Sequence, residues 1–264
     1  MLTSSRIKIF LVALLLVSAG SFAVTASANH SWGGYHWART ANPLNLKLAD
    51  NLSASWDPYL ATASAEWSLS TVLDTTIVAG QANPKNCRAT LGRVEVCNSK
   101  YGNNGWLGIA SIWANGTHIT QGTVKMNDTY FATAKYNTPA WKNLVVCQEI
   151  AHTFGLDHQD EIFTNANLGT CMDYTNDPDG TVYGQLSNEY PNQHDYDGLE
   201  TIYAHVDTTN TAFSKTAASA NNLDTNEPSA WGKEVKKSHD GHSSLYERDL
   251  GKGEKVFTFV VWAQ

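Results

Sequence analysis

The segment VVCQEIAHTFGLDHQD carries amide, imidazole and carboxylate side chains at the spacing of a metal site. Gln148, His152 and His158 are its candidate ligands, since residues four apart share a helix face and a catalytic zinc takes three protein ligands and a water. Glu149, beside the first ligand, would act as a general base toward that water. Gly155 allows a sharp, left-handed exit from the helix that returns His158 to the metal. The pattern therefore predicts one catalytic zinc ion that activates water.

Gln148 is the unusual member of this set, because histidine is the expected first ligand. An amide oxygen can ligate a cation, but it is a neutral and harder donor than imidazole and suits zinc less well. Loss of a side chain that only hydrogen-bonds a metal ligand already lowers metal affinity about 10 to 100-fold. Replacement of a direct ligand by a weaker one should therefore lower the zinc affinity at least as much. The base, the turn glycine and the other two ligands are all retained. This combination favours a weakened metal site over a lost one.

A second stretch, NLGTCMDYTNDPDG, follows the motif and contains Met172 in a turn-prone context with Tyr174 two residues later. The first segment reads QExxHxxGxxH. It differs from the zinc-protease pattern HExxHxxGxxH only in that glutamine replaces the first histidine. Together the two stretches resemble the metzincin zinc metalloproteases, and within them the matrixin-like relatives of the matrix metalloproteinases. The resemblance covers residues 42–204, from the first predicted strand to the last predicted helix.

This resemblance implies a zincin-like twisted sheet with an active-site helix, a Met-turn and a C-terminal helix. It also implies hydrolysis of peptide bonds in a protein or peptide substrate, with the three ligands named above and Glu149 as the base. Met172 would form the floor beneath the metal. Tyr174 stands where some metzincins have a phenol that touches the zinc or the oxyanion, although a structural role is favoured for it here.

The chain begins with two cationic residues, an apolar run and small residues that end at Ala28, which is the layout of a secretory signal peptide over residues 1–28. No later segment is apolar enough to cross a membrane, so the expected location is extracellular. Without the Arg6 and Lys8 of the leader, 16 basic residues stand against 25 acidic ones, a net charge of -9. This acidity argues against nucleic-acid partners.

Four cysteines in an exported chain favour disulfides over thiol chemistry, and no CxxC pair suggests a zinc finger. Three connectivities are open. The favoured pairing joins Cys87 to Cys97 around a short loop, and Cys147 to Cys171 beside the two motifs. In a metzincin-like fold the Met-turn lies below the active-site helix, which would bring Cys147 and Cys171 together.

The elements that must position these residues are strands and helices mixed along the chain, which indicates an α+β domain with a sheet backed by helices. Apolar side chains three to four residues apart predict a helix over residues 53–70, and two further helices are expected over residues 139–154 and 193–204. The predicted organisation is a domain over residues 29–206, a linker over 207–230 and a small β-rich appendage over 231–264. The appendage consists of two strands joined by LGKG, a hairpin that must dock on another element.

The remaining histidines show no ligand spacing with the motif and are expected at the surface: His30, His36, His118, His194, His205, His239 and His242. His118 or His194 would supply a third nitrogen ligand only if the fold departs from the resemblance. Ca²⁺ is a further candidate cation at the acidic segments of residues 157–161 and 176–180, although turn chemistry explains the second equally well.

Two hypotheses stand beside the zinc endopeptidase. One is a non-catalytic, secreted protein that binds peptides or surface polymers on the same scaffold, and the other is a structural metal site without turnover. A monomer is expected in each case. Because no sulfhydryl-switch propeptide separates the leader from the first strand, latency would have to come from the tail or from metal loading.

Overall fold

The computed structural model describes residues 30–213 and 223–264. The predicted signal peptide, residues 1–28, and the middle of the predicted linker, residues 214–222, lie outside the described residues. Among the described helices, none combines the length and apolar character needed to cross a bilayer.

The predicted α+β class is confirmed, since the described residues form a mixed sheet of nine strands together with four α-helices. The strands are β1 (His36–Trp37), β2 (Leu44–Asn51), β3 (Leu73–Ala79), β4 (Val94–Ser99), β5 (Trp106–Asn115), β6 (His118–Asn127), β7 (Lys233–Lys237), β8 (Ser243–Gly251) and β9 (Glu254–Trp262). The helices are α1 (Asp57–Trp67), α2 (Asp128–Phe131), α3 (Pro139–His152) and α4 (Gln193–Ile202), with a short 3-10 turn at Pro228–Ala230.

The sheet has the strand order β3-β2-β4-β6-β5-β9-β8-β7, and β1 pairs in parallel with β6. The pairs of the half from β3 to β6 are parallel. For β2 and β3, α1 provides the crossover that a parallel pair needs. From β6 onward every pair is antiparallel. Strand β5 is therefore a central strand, held by β6 on one side and by β9 on the other.

Helices α1 and α3 pack together on one face of the sheet. The apolar stripe predicted for α1 is confirmed, since Trp56, Leu60, Ala63 and Trp67 are all buried. The helix is shorter than predicted, because Pro58 fixes its first turn and Ser68 ends it. The Trp67 indole Nε1 donates to the Cys147 carbonyl at 3.2 Å, which ties α1 to the middle of α3.

The C-terminal tail forms the predicted hairpin, and its strands continue the main sheet. β9 pairs with β5 from Trp106 opposite Trp262 to Asn115 opposite Glu254. Alternate side chains of β9 explain the docking, since Phe257, Phe259 and Val261 join the main core. The opposite face of β9 contributes Val260 to a smaller cluster with Trp106 and Trp231.

The favoured disulfide pairing is confirmed at both positions. Cys87 bonds to Cys97 across a separation of 10 residues, and Cys147 bonds to Cys171 across 24 residues. The first bridge fastens the loop after β3 to β4. The second joins α3 to the turn that contains Met172. Two disulfides fit a protein of an oxidising compartment.

Candidate metal centre

Helix α3 carries three of the predicted site residues into the protein interior. Thr138 caps its start by accepting a hydrogen bond from the Trp141 backbone N at 3.3 Å, and Pro139 occupies the first turn. The helix packs against β5, β6 and β9, and its second half is buried on all sides. Gln148, Glu149 and His152 are each at most 2 % exposed.

The two predicted histidine ligands face each other through the same ring nitrogen. The Nε2 atoms of His152 and His158 are 3.0 Å apart. The Nδ1 atom of His152 donates to the Leu156 carbonyl at 2.8 Å, since a carbonyl can only accept. The Nδ1 atom of His158 lies 2.9 Å from Glu161 Oε1. Burial opposes ionisation of Glu161, yet the hydrogen bond from His158 holds the pKa of that carboxyl below its usual value.

These contacts commit both Nδ1 atoms as donors, so both Nε2 atoms point lone pairs at one another. Such a pair repels unless a proton or a metal ion lies between the nitrogens. Ligands bound to zinc at about 2.0–2.1 Å in a tetrahedron are about 3.3 Å apart, close to the 3.0 Å observed between the two Nε2 atoms. Burial and the neighbouring His158 also lower the pKa of His152 well below its usual value, which keeps the neutral form that a metal needs.

Gly155 has the left-handed conformation that the sequence predicted, with φ of 106°. A Cβ atom at this position would lie 2.3 Å from the Tyr35 carbonyl oxygen, so a side chain is excluded by space as well as by conformation. The turn that Gly155 makes possible brings His158 back to the end of α3.

Gln148 is held by the turn below the helix. Its amide Nε2 donates to the Cys171 carbonyl at 2.9 Å, so its hydrogen bond goes to this turn and to neither histidine. Because a carbonyl acceptor fixes which end of the amide faces it, Oε1 is left as the amide's ligand atom. The disulfide between Cys147 and Cys171 joins the same two segments.

Glu149 is fully buried, and in the described part of the chain neither of its carboxylate oxygens has a hydrogen-bond partner. Gly108 of β5 makes room for it, since a Cβ atom there would lie 2.8 Å from Glu149 Oε1. Burial raises the pKa of Glu149 well above its usual value. A buried carboxyl without a partner is costly, and a bound cation would reverse that cost.

Met172 and Tyr174 lie in the segment that the disulfide joins to α3. Met172 is fully buried, and its carbonyl accepts from the Gln159 backbone N at 2.7 Å. The rings of Tyr174 and His158 meet edge to face with centroids 4.7 Å apart. Burial, followed by the charge of Glu149, raises the pKa of Tyr174 well above its usual value.

The C-terminal tail covers this cluster, which sequence reasoning did not anticipate. The Phe259 ring lies parallel to the His152 ring with centroids 4.0 Å apart, and Phe259 is 1 % exposed. Val261 of β9 pairs with Gly108, the residue that contacts Glu149. A small cavity beside the cluster is lined in part by Val145, Gln148, Phe163, Tyr174, Val261 and Trp262.

An ion-pair contact fastens the tail to the segment that follows α3. Lys236 Nζ lies 2.9 Å from Asp157 Oδ2 and 3.1 Å from Glu161 Oε1. These two carboxylates of the acidic segment 157–161 thus have a cationic partner from the tail. In the other calcium candidate, residues 176–180, the Gly180 backbone N donates to the Asp177 carbonyl at 2.9 Å, which is turn chemistry.

The expectation that the other histidines lie at the surface is wrong for His30 and His36, which are 9 % and 7 % exposed. His30 stacks on His194 with ring centroids 4.9 Å apart, beside Asp195. His118 contacts Asp207 instead of the motif histidines. Neither His118 nor His194 therefore supplies a third nitrogen to the His152 and His158 pair.

The fold and the site define an α+β protein with a buried histidine pair and, on the helix that carries His152, a buried carboxyl without a hydrogen-bond partner among the described residues. A comparison with models of known protein families found no match, and a comparison with curated proteins found none either.

Proposed function

We propose that this protein is a secreted zinc-dependent endopeptidase of the metzincin type, with its own C-terminal hairpin over the site. The observations that carry the proposal are the 3.0 Å separation of the Nε2 atoms of His152 and His158, and the buried carboxyl of Glu149 on the same helix as His152, which has no hydrogen-bond partner among the described residues. A divalent cation would satisfy the histidine pair, and water on that cation would offer Glu149 a hydrogen-bond donor. Structural interpretations of the histidines alone leave the orphaned carboxyl unexplained.

In this proposal His152 and His158 hold the zinc through Nε2, and Gln148 offers Oε1 as a weaker third ligand. A bound zinc ion would supply Lewis-acid activation of water. Glu149 would act as the general base that holds the proton removed from water and passes it to the leaving amine of the substrate. Met172 and the disulfide beside it hold the ligands in place from below.

The tail itself illustrates which kind of ligand suits this surface, since β9 is an extended peptide paired with β5. Without β9, the backbone groups of β5 beside Glu149 would be free to pair with another extended peptide. A substrate reaches Glu149 only after the hairpin has left β5. Burial of one Phe side chain contributes about 1.5–3 kcal/mol, so Phe257 and Phe259 favour the covered form.

A structural metal site without turnover is the second candidate, and the position of Phe259 favours it. The ring stacked on His152 leaves the histidine pair inside the main core. If the hairpin never leaves β5, a metal would only stiffen the turn after α3. A binding function for peptides or polymers would likewise need the hairpin to move.

The two candidates are separated by zinc analysis followed by hydrolysis of a mixture of fluorogenic peptides. We expect zinc-loaded wild type to cleave slowly, Gln148→His to cleave faster, and Glu149→Ala to be inactive. The exposed-residue variant Val235→Ala serves as the matched control, and its activity should equal that of wild type. An unchanged rate in Glu149→Ala would assign the cleavage to a contaminant, and bound zinc without any cleavage would favour the structural role.

A further inference from the structure

A second cluster of histidines lies away from the motif, around one carboxylate. The Nε2 atoms of His36, His118 and His205 are 3.7, 3.3 and 3.5 Å from Oδ1 of Asp207. The His36 ring meets the His118 and His205 rings edge to face, with centroids 5.0 and 4.9 Å apart. Three imidazoles thus converge on a single oxygen atom.

The fold brings these residues together from three distant segments. His36 lies in β1 and pairs with His118 of β6 in the parallel register, which puts both side chains on the same face of the sheet. His205 and Asp207 follow the end of α4. The Asp207 backbone N donates to the Arg39 carbonyl at 2.6 Å, so this segment is fixed beside β1.

Hydrogen bonds outside the cluster orient its donor atoms inward. The Nδ1 atom of His36 donates to the Gly34 carbonyl at 2.9 Å, which leaves Nε2 with a lone pair. Asp207 Oδ2 accepts from the Arg39 backbone N at 3.0 Å, which leaves Oδ1 facing the histidines. Supporting bonds of this kind are characteristic of histidine and carboxylate metal ligands.

The cluster is not satisfied by its own groups. His36 Nε2 is buried and has no hydrogen-bond partner within the described residues, although it faces a carboxylate oxygen. A lone pair opposite a carboxylate repels it unless a cation intervenes. A single divalent cation would accept a lone pair from each imidazole nitrogen of the cluster and from the carboxylate oxygen of Asp207.

We propose that His36, His205 and Asp207, whose ligand atoms all lie within 4.8 Å of one another, hold a structural zinc ion separate from the motif on α3, and that the partly exposed His118 turns toward it as the fourth ligand. Three imidazole nitrogens and one carboxylate oxygen are a set that suits zinc, and four protein ligands are typical of structural sites. Tetrahedral zinc with bonds of about 2.0–2.2 Å needs ligand separations of about 3.3–3.5 Å, and the three Nε2 to Oδ1 distances span 3.3 to 3.7 Å.

The metal has an entry path and a structural role. The side chains of His118 and His205 are 35 % and 56 % exposed, whereas those of His36 and Asp207 are 9 % and 11 % exposed, so the cluster opens to solvent on one side. By fixing β1, the metal would also brace the end of α3. The neighbouring Trp37 indole Nε1 donates to the Thr153 carbonyl at 2.8 Å, and the Tyr35 carbonyl lies against Gly155.

Zinc titration of the chelator-treated full chain tests this site, with a chromophoric chelator as competitor. The variant His118→Gln/His205→Gln alters the two more exposed ligands, and the exposed His239→Gln is the matched control. We expect the double variant to bind one zinc equivalent fewer than wild type and His239→Gln. Equal zinc content in all three proteins overturns the proposal.

The His152→Ala variant separates this outcome from the function proposed for the motif. If the Asp207 cluster binds zinc, His152→Ala retains one equivalent even where the motif binds none. As an independent readout, ¹⁵N spectra of the histidine rings should show zinc-dependent shifts of the Nε2 signals of His36, His118 and His205. If added zinc leaves these signals unchanged, the proposal is overturned. The histidines would then only form ion pairs with Asp207.

Discussion

The Phe259 ring lies flat against the His152 ring, with centroids 4.0 Å apart and planes 10° from parallel. One residue belongs to the last strand of the chain and the other ends the helix with the metal motif. The stack therefore places the tail directly over the proposed ligands. In the function that we propose, the tail, together with its ion pairs from Lys236, is the element that controls access to Glu149.

Phe259→Ala should weaken this cover. Removal of a buried Phe ring costs about 3–5 kcal/mol of folding free energy, and the loss falls on the contact between β9 and α3. We therefore expect a lower unfolding midpoint together with faster hydrolysis of fluorogenic peptides by the zinc-loaded variant. Val235→Ala, in an exposed strand of the same tail, should change neither quantity. A destabilised Phe259→Ala protein with wild-type hydrolysis would show that the tail does not limit access.

Gln148→His should raise zinc affinity at the motif. Imidazole is a better zinc donor than an amide oxygen, and we expect at least a roughly 10-fold lower dissociation constant by chelator competition. The variant gives up the hydrogen bond to the Cys171 carbonyl, which costs about 1 kcal/mol of stability before metal is added. An unchanged zinc affinity would mean that residue 148 does not ligate the metal.

Gly155→Ala tests the turn that returns His158 to the helix. The left-handed conformation and the Tyr35 carbonyl both oppose a side chain, so we expect a loss of about 2–4 kcal/mol in chemical denaturation. Gly184 also has a positive φ, of 66°, but a Cβ atom at that position would meet no other atom within 4 Å. Gly184→Ala is thus the matched control, with an expected loss of about 1–2 kcal/mol. Equal losses in the two variants would show that the close approach of Tyr35 is unimportant.

Lys125 makes folding stability depend on pH. Burial lowers the pKa of Lys125 to about 7; the charge of Asp224 opposes this shift, and the charge of Arg88 adds to it. The Nζ atom of Lys125 donates to Thr225 Oγ1 at 3.0 Å and to Asn226 Oδ1 at 2.7 Å. Between this value and the ordinary lysine pKa the unfolded chain binds more protons than the folded one. Stability contributed by this residue therefore rises with pH, by about 1.4 kcal/mol per unit from about pH 7 to about pH 10.

The measurement is the unfolding free energy of wild type and Lys125→Met in denaturant titrations at several pH values. The difference between the two proteins should shift in favour of wild type as the pH rises from about 7.5 to about 9.5, by about 2–3 kcal/mol in total. A difference that stays constant over this range would show that Lys125 remains charged in the folded protein.

Local patterns in the sequence predicted much of the fold. The structure confirms four features that were predicted from the sequence: the buried stripe from Trp56 to Trp67, the left-handed Gly155, both disulfides and the tail hairpin. The partner of the hairpin could not be predicted, because its pairing with β5 joins segments that are far apart in the sequence, as between Trp106 and Trp262, and strand patterns do not specify their partners.

The Asp207 cluster escaped sequence analysis for a related reason. His36, His118 and His205 have no common spacing, and only the short parallel pair between β1 and β6 and the segment after α4 bring them together. Strand β1 has two residues, too few for any periodicity. In contrast, the motif on α3 is contained in one helix and one turn, so its spacing predicted that His152 and His158 meet.

Anomalous diffraction at the zinc edge, on crystals of the zinc-loaded protein, tests most directly whether His152 and His158 share a zinc ion beside Glu149. We predict an anomalous peak bonded to both Nε2 atoms at about 2.0–2.1 Å. Density at the Asp207 cluster with none between His152 and His158 would contradict a shared ion at the motif.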